Sequence, residues 1–230
     1  MHRETLDRLI AAREQKKPVV LITFLQDGSQ ALYFQDGAAT GAGLTEAQRS
    51  LAQQTLRSNQ CLLAENAAVF LQPYNPPLRL IIIGAVHITQ TLASMATLCG
   101  YQVTVVDPRQ AFATAARFPD VILNSDWPDA ALTALQPDAR TAIVTLSHDP
   151  KLDDPALRIA LQSDAFYIGA LGSRKTQQAR YNRLAELGCT EAQQARIQGP
   201  VGLDIGAESP AEIAIAIMAQ ITQCLHDRTA

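Results

Sequence analysis

The stretch from Leu78 to Asp107 constrains the fold of this chain more than any other. Four branched apolar residues, Leu80–Ile83, lead into Gly84, and a second apolar run, Val103–Val106, leads into Asp107. Between the two runs, apolar residues recur at helical spacing. Short apolar runs bounded by glycine are typical of strands that are buried on both faces. The stretch therefore predicts a strand–helix–strand unit of a parallel sheet.

The turn after the first predicted strand matches only part of a dinucleotide-binding fingerprint. That fingerprint has glycine at its first, third and sixth positions, which here are Gly84, Val86 and Thr89. In such folds an acidic residue about 20 positions further on holds a ribose, and Asp107 stands there. A β-branched side chain at Val86 would crowd a pyrophosphate. At this turn alone, an NAD(P) site and a buried unit without a nucleotide stay equally open.

Composition excludes several classes of protein. The chain has 230 residues, of which 47% are hydrophobic, enough for a sizeable core. Its net charge is −3 and no basic stripe appears, which argues against nucleic acid as a partner. The apolar runs are much shorter than the roughly 20 residues of a membrane span. The charged N-terminus lacks the apolar segment of a signal peptide, so we expect a cytoplasmic protein.

The cysteines of the chain are scattered and include no CxxC pair. We therefore expect buried thiols, without disulfides and without a metal site. The four are Cys61, Cys99, Cys189 and Cys224.

The first third of the chain predicts a small α+β unit. Strand patterns and an Asp27-Gly28 hairpin turn lie between two helical patterns. We place the domain boundary at the proline-rich, irregular segment Pro73–Pro77. Residues 1–75 are then a small N-terminal α+β domain. Residues 76–230 are an α/β domain with a Rossmann-like parallel sheet and helices on both faces.

Three loops of the second domain carry unusual residues where ligands bind in open α/β sheets, at or beside the carboxyl ends of strands. The segment Gly169–Lys175 contains Gly169, Gly172, Ser173 and Arg174 just before a helical pattern. Free backbone N–H groups, the helix dipole and a guanidinium at one helix N-terminus favour an anion such as phosphate. The alternative is a solvated first helical turn.

The second loop places His148, Asp149 and Lys151 around Pro150. An imidazole, a carboxylate and an ammonium in one tight loop suit acid–base chemistry or anion recognition. In the alternative interpretation, Asp149 caps the next helix and His148 is only exposed.

The third loop, Gly202–Gly206, precedes the last helix and contains Asp204. Asp204 could orient a ligand hydroxyl or amine, or could only brace the loop. His87, in the first strand-to-helix turn, faces the same crevice if the fold is as predicted, although a histidine without a ligand role is the favoured interpretation there.

Taken together, these loops resemble the XdhC/CoxI family, whose members are accessory factors of xanthine dehydrogenase and related molybdenum hydroxylases. The resemblance covers most of residues 78–222, in order. It is carried by Gly84–His87, Asp107–Arg109, Phe112–Thr114, Arg117–Pro119, Ser147–Lys151, Gly169–Arg174 and Pro200–Ala207.

The resemblance implies a chaperone rather than a catalyst. Family members are thought to bind molybdenum cofactor, protect it while a cysteine desulfurase supplies sulfur, and insert it into the apo-hydroxylase. It implies that the cofactor lies on the loop residues that the sequence singles out, and a homodimer is compatible with the apolar last helix. These residues are Gly84, His87, Asp107, His148, Asp149, Lys151, Gly169, Gly172, Ser173, Arg174, Gly202, Asp204 and Gly206.

Two departures from the family pattern bear on this expectation. The family usually has glycine where Val86 stands, and its N-terminal domain often carries a cysteine motif that is missing here, since Cys61 does not correspond to it. The alternative from another class is an NAD(P)-dependent oxidoreductase that uses Asp107 on the ribose.

Overall fold

The computed structural model describes residues 2–64 and 66–227. The chain divides after Pro76 into two compact units, and the second unit begins at Pro77. That these units are independently folding domains stays a prediction.

The first unit is an antiparallel sheet with the strand order β3-β2-β1-β5-β4. Successive residues of β1 point to opposite faces of this sheet. Val20 and Ile22 pack in one apolar cluster with Ala52 and Leu56 of α2, and Val19 packs in another with α1. Its elements are α1 (Arg3–Glu14), β1 (Val19–Phe24), β2 (Gln30–Phe34), β3 (Ala39–Gly41), α2 (Glu46–Ser58), β4 (Leu62–Ala64) and β5 (Val69–Tyr74).

The first unit differs from the sequence prediction at its last strand. The sequence predicts an irregular segment from Pro73, but Pro73 and Tyr74 belong to β5 and pair with β1. The partner on the other side, β4, pairs only with Val69–Leu71. One side of β5 is therefore unpaired at Pro73, and proline is tolerated there because no ladder N–H is needed. The three-residue strand β4 was missed because it is too short to show a period.

The second unit contains a six-stranded, entirely parallel sheet with the order β11-β10-β9-β6-β7-β8. The Rossmann-like prediction is confirmed. Sequence patterns did not reveal two short elements, α7 and β11. The elements are β6 (Arg79–Ile83), α3 (His87–Leu98), β7 (Gln102–Val106), β8 (Ile122–Asn124), α4 (Pro128–Leu135), β9 (Thr141–Thr145), α5 (Pro150–Gln162), β10 (Tyr167–Ala170), α6 (Arg174–Glu186), α7 (Glu191–Gln194), β11 (Ile197–Gln198) and α8 (Pro210–Asp227).

Helices cover both faces of this sheet, as predicted. Leu80 and Ile82 of β6 pack in one apolar cluster with residues of α3 and α8, whereas Ile81 and Ile83 pack in the other with α4, α5 and α6. The only tryptophan, Trp127, is the N-cap residue of α4 and is 57% exposed. Among the described residues, no helix is both long and apolar enough to cross a membrane.

The strand order decides where a ligand can bind. The chain runs outward from β6 through β7 to β8, and then continues at β9 on the other side of β6. The direction of winding therefore reverses between β6 and β9. In doubly wound sheets the ligand crevice opens at this switch point, outside the carboxyl ends of the strands.

Candidate functional site

The turns that follow β6 and β9 meet at the switch point. Gly84 has φ +105°, and a Cβ atom added to it would lie 2.8 Å from the backbone N of Ser147. The Leu146 N–H also donates to the Ile83 carbonyl oxygen at 2.8 Å. Gly84 is thus required because the backbone of the neighbouring turn passes directly against it.

Asp107 is fully buried and its carboxylate is used within the protein. Its Oδ2 accepts from the Ala85 N–H at 2.8 Å and from Arg109 Nη2 at 2.8 Å, and its Oδ1 accepts from Arg109 Nε at 2.9 Å. Burial raises the pKa of Asp107, but the hydrogen bonds from Arg109 and Ala85 outweigh burial, and the pKa is lowered overall. Asp107 therefore ties the end of β7 to the first turn.

Other side chains brace the same turn. Arg117 Nη1 donates to the Ala85 carbonyl oxygen at 3.1 Å, and Thr89 Oγ1 donates to the Gly84 carbonyl oxygen at 2.6 Å. Val86 is the N-cap residue of α3 and forms no side-chain cap. The Asp107 carboxylate, at the position that holds a ribose in dinucleotide-binding folds, is thus already engaged in hydrogen bonds within the protein.

The turn after β9 is organised by Ser147 and Asp149. Asp149 is the N-cap of α5, where its Oδ1 accepts from the Lys151 N–H at 2.9 Å. His148 is exposed and has φ +61°, and the Lys151 side chain is exposed as well. The capping role of Asp149, which the sequence offered as the alternative, is what the structure contains. A ligand role for these three residues stays a prediction.

The turn between β10 and α6 contains the predicted anion-binding residues. Gly169 lies within β10, not in the loop, and a Cβ there would come within 2.6 Å of Val201 Cγ2. Gly172 has φ +141°, and Ser173 is the N-cap of α6, where its Oγ accepts from the Thr176 N–H at 3.2 Å. Arg174 is the first residue of α6 and is exposed. The predicted helix N-terminus and its cap are therefore present.

A buried polar cluster lies behind that turn and was not predicted. Arg180 of α6 is 2% exposed, and its Nη2 donates to the Leu171 carbonyl oxygen at 2.7 Å, while Nη1 donates to Gln177 Oε1. Across the described residues, four buried side-chain atoms have no hydrogen-bond partner, and three of them belong to Arg180 (Nε), Gln177 (Nε2) and Thr145 (Oγ1). Buried polar atoms without partners are uncommon and call for an explanation, such as a bound ion or water.

Asp153 of α5 connects this cluster to the turn after β9. Its Oδ1 accepts from Ser147 Oγ at 2.7 Å. Burial raises the pKa of Asp153 to about 6, although the hydrogen bond from Ser147 and the charge of Arg180 lower it in part. A carboxyl group that titrates near neutral pH thus lies beneath the candidate site.

The third predicted loop belongs to the packing of α8. The Gly202 N–H donates to Gln220 Oε1 at 2.8 Å, and a Cβ at Gly202 would lie 3.1 Å from Ala216 Cβ. Asp204 and Gly206 are exposed, as is His87, the first residue of α3. In the described part of the chain, no hydrogen bond or ion pair connects these three residues to the other predicted site residues. Within the described part of the chain, no group of three or more His, Cys, Asp or Glu side chains could hold a metal ion.

Comparison with known proteins agrees with this architecture. The profile of the XdhC Rossmann domain matches residues 80–221, from the first strand of the parallel sheet into its last helix. The chain belongs to the XdhC family. A crystal structure described as a xanthine dehydrogenase from Bacillus halodurans has a TM-score of 0.71 and 26% identity, and the match covers 98% of this chain and 65% of that one.

Curated relatives extend the family assignment. The uncharacterized protein YqeB of Escherichia coli is 34% identical over 160 residues, covering 68% of this chain and 29% of its own length. A Bacillus subtilis protein named as a probable xanthine dehydrogenase subunit is 33% identical, with coverages of 67% and 45%. The molybdenum cofactor insertion chaperone PaoD of Escherichia coli is 30% identical, with coverages of 64% and 40%. The match thus spans less than half the length of each of these relatives.

The polar cluster could have been noticed in the sequence of this XdhC protein. The helix α6 is mostly polar, and its buried residues are Gln177, Arg180 and Leu184, at spacings of three and four. A polar helix that packs on a sheet must bury polar side chains on one face. The buried side chains of α6, and not the exposed Arg174, therefore lie toward the interior of the domain.

Proposed function

We propose that this chain binds molybdenum cofactor and supports the insertion of the cofactor into an apo-hydroxylase of the xanthine dehydrogenase type. The observation that carries the proposal is the match to the XdhC Rossmann domain, together with the likeness to a molybdenum cofactor insertion chaperone. The molybdenum cofactor is cargo in this proposal, and the chain is a chaperone and not a catalyst. Its place is the cytoplasm.

The geometry of the turn between β10 and α6 supports an anionic ligand. Gly172 adopts a positive φ ahead of the N-cap Ser173, so the first backbone N–H groups of α6 point toward the carboxyl edge of the sheet. A helix N-terminus favours negative charge. The phosphate of a pterin cofactor is such a charge, and Gly172, Ser173 and Arg174 are the residues that we propose hold it.

The remaining predicted residues line the same edge in this proposal. His148 and Lys151, exposed beside α5, are placed near the pterin, and Asp204 near the opposite side. A cysteine desulfurase that supplies sulfur and a homodimeric state belong to the proposal as well. The described cysteines, at positions 61, 99, 189 and 224, form no disulfide with one another.

The alternative, an NAD(P)-dependent oxidoreductase, would use Asp107 to hold a ribose hydroxyl. The Asp107 carboxylate already accepts hydrogen bonds from Arg109 and Ala85, and Val86 occupies the position of the second fingerprint glycine. A ribose would have to displace Arg109 from the buried Asp107 carboxylate, and leaving a buried charge without its partner is costly. The chaperone function is therefore the one we retain.

The test is anaerobic binding of the purified chain to molybdenum cofactor, with NAD and NADP in parallel. We expect saturable binding of the cofactor, no response to either nucleotide, and transfer of the bound cofactor to an apo-hydroxylase that thereby gains activity. Nucleotide binding without cofactor binding would refute the proposal and direct attention to Asp107. As a test of the proposed site, Asp204→Asn should weaken cofactor binding. It should leave the thermal stability unaltered, because Asp204 is exposed.

A further inference from the structure

The exposed and buried faces of α6 offer two different arginines to a ligand. Arg174 opens the helix and is exposed, so water and salt screen its charge. Arg180 lies almost two turns further along and is 2% exposed. A charge in a low-dielectric environment acts over a greater distance than a screened one. The buried arginine is therefore the stronger electrostatic feature of this helix.

Arg180 reaches back beyond the start of its own helix. Its Nη2 donates to the carbonyl oxygen of Leu171, a residue that precedes the N-cap Ser173. A Cβ atom added to Gly172 would lie 3.7 Å from the same nitrogen. The guanidinium thus lies directly behind the backbone of the turn, on the side opposite to solvent.

The hydrogen-bond capacity of this group is not used up. Within the described residues, Arg180 Nε and the neighbouring Gln177 Nε2 are buried donors without an acceptor. Leaving such donors unpaired costs free energy, which proteins tolerate where a ligand, ion or water completes the arrangement. Both side chains are nine-tenths or more buried. The Arg180 guanidinium reaches the Leu171 carbonyl oxygen of the turn that starts α6, whereas the Gln177 amide lies against Gly199. The unpaired Arg180 donor provides evidence for an anion that is independent of the helix N-terminus itself.

We propose that Arg180, held behind the turn Leu171–Ser173, supplies the positive charge of an oxyanion site at the N-terminus of α6, with the buried carboxyl group of Asp153 as its counter-charge. This inference rests on the proposed function and deepens it, because it concerns the same turn and makes the buried Arg180, rather than the exposed Arg174, the principal cation there. Arg180 is a positioning residue: it holds the turn and sets its potential without touching solvent.

Asp153 decides how much of that charge an anion experiences. The carboxyl group interacts electrostatically with Arg180 and Arg183 of α6, with Arg109 after β7 and with Asp154 beside it, and it accepts from Ser147. Arg183 is itself engaged by Asp154, with Nη2 to Oδ1 at 3.1 Å. When Asp153 is ionised, its negative charge offsets part of the charge of Arg180. When Asp153 is protonated, that offset is lost and the site is more positive.

Anion binding is thereby linked to proton uptake. Because the pKa of Asp153 is raised to about 6, its protonated form becomes the major one below that pH. An oxyanion that binds beside Arg180 favours the protonated form and raises the pKa further, and by linkage the anion binds more tightly at lower pH. A site built on Arg174 would show no such dependence.

The test is binding of inorganic sulfate to the full chain, measured by calorimetry or NMR titration between about pH 5 and pH 8. Sulfate keeps its charge throughout this range, so any change in affinity belongs to the protein. For the wild type we expect the affinity to fall roughly tenfold from the lower to the higher pH. For Asp153→Asn we expect tight binding at both, because the amide carries no charge.

Matched substitutions separate the two arginines. Arg180→Met is expected to weaken sulfate binding roughly tenfold or more, whereas Arg174→Met is expected to weaken it only about threefold, because solvent screens the exposed guanidinium. Because Arg180→Met removes a buried side chain, Arg180→Lys serves as the second variant: it keeps the charge, and we expect it to restore the pH dependence. Loss of binding in Arg174→Met with normal binding in Arg180→Met would overturn the inference.

Three further results separate this inference from the chaperone proposal. Sulfate affinity that is independent of pH in the wild type would overturn it, since the unpaired donors would then serve water only. If sulfate binding follows Arg180 but molybdenum cofactor does not bind, the oxyanion site stands and the chaperone proposal falls. If the cofactor binds equally well to wild type and Arg180→Lys and Arg180→Met, the chaperone proposal stands and this inference falls.

Discussion

Two strand-to-helix turns of the parallel sheet, one between β6 and α3 and the other between β10 and α6, place a positive-φ glycine just before a helix. Gly84 and Gly172 are those glycines. In the first turn, Asp107, Arg109 and the backbone exchange hydrogen bonds, and within the described residues the buried Asp107 carboxylate has partners for both oxygens. Behind the second turn, the Arg180 Nε donor remains unpaired.

One fold can thus pair the polar groups of its usual dinucleotide-binding turn within the protein and leave a buried hydrogen-bond donor unpaired at another turn. A buried polar group that has found its partners contributes rigidity, whereas an unpaired one retains affinity for a ligand. Four substitutions test this difference, and their expected effects on the free energy of unfolding decrease from Gly84 to Ser173.

Gly84→Ala should have the largest effect on stability. The new methyl group would meet the Ser147 backbone N at 2.8 Å, and φ is +105°. Positive φ and a backbone overlap together should lower the free energy of unfolding by about 4 kcal/mol in urea titrations. Gly100→Ala is the control, because φ is +83° there but nothing lies within 4 Å, so we expect about 1 kcal/mol. Equal losses for the two variants would contradict a packed first turn.

Asp107→Asn tests whether the first turn depends on its carboxylate. Removing one partner of a buried ion pair should cost about 3 kcal/mol, somewhat discounted because Arg109 is partly exposed. The folded pKa of Asp107 is lowered, so its contribution is present above the unfolded pKa of about 3.9 and is lost as the pH falls through the folded value. Acid unfolding monitored by circular dichroism should therefore begin at a higher pH than in the wild type. The exposed Asp164→Asn should leave the curve unchanged.

Asp153→Asn should act in the opposite direction. In the folded protein the pKa of Asp153 is about 6, above its unfolded value. The stabilisation that its protonated form gives the folded state is therefore fully present below about pH 4 and is lost as the pH rises through 6. The free energy of unfolding of the variant, taken relative to that of the wild type, should therefore rise by about 2 kcal/mol from about pH 4 to pH 7.5. Urea unfolding at the two pH values measures this gain. A variant that is equally destabilised at both would show that Asp153 is an ordinary ion-pair partner.

Ser173→Ala should have the smallest effect. The side chain of Ser173 caps α6, whereas α3 begins at Val86 without a side-chain cap. Loss of a single N-cap costs about 1 kcal/mol. Thermal unfolding measures this loss, and Ser173→Thr, which can still cap, should lie within about 0.5 kcal/mol of the wild type. If alanine were also neutral, the turn before α6 would be held entirely by Arg180.

Much of the fold could be predicted because its signals are local. The runs Leu80–Ile83 and Val103–Val106 are strands, and Thr45 and Ser209 begin helices as their capping patterns indicate. Capping needs only a side chain and a backbone N–H a few residues apart, so the sequence contains the whole interaction. Short strands such as β11, with two residues, carry no periodic signal and depend on a neighbouring strand.

The candidate site was less predictable because its decisive contacts are distant in sequence. Asp107 looked like a ribose ligand, since position alone cannot tell that Arg109 folds back onto the carboxylate. Arg180 and Asp153 lie far apart in sequence on different helices, and only the packing of α5 against α6 brings their charges within electrostatic range of each other. The sequence indicates the loop before α6, whereas the charges that lie behind that loop depend on tertiary structure.

The solitary tryptophan at the start of α4 gives the chain a built-in optical reporter. Trp127 is the only indole in the sequence, and it belongs to the parallel-sheet unit. Its emission therefore follows that unit alone, while far-ultraviolet circular dichroism follows both units at once. Coincident fluorescence and dichroism transitions in urea would mean that the two units lose structure together, and separated transitions would assign a stability to each without any engineered label.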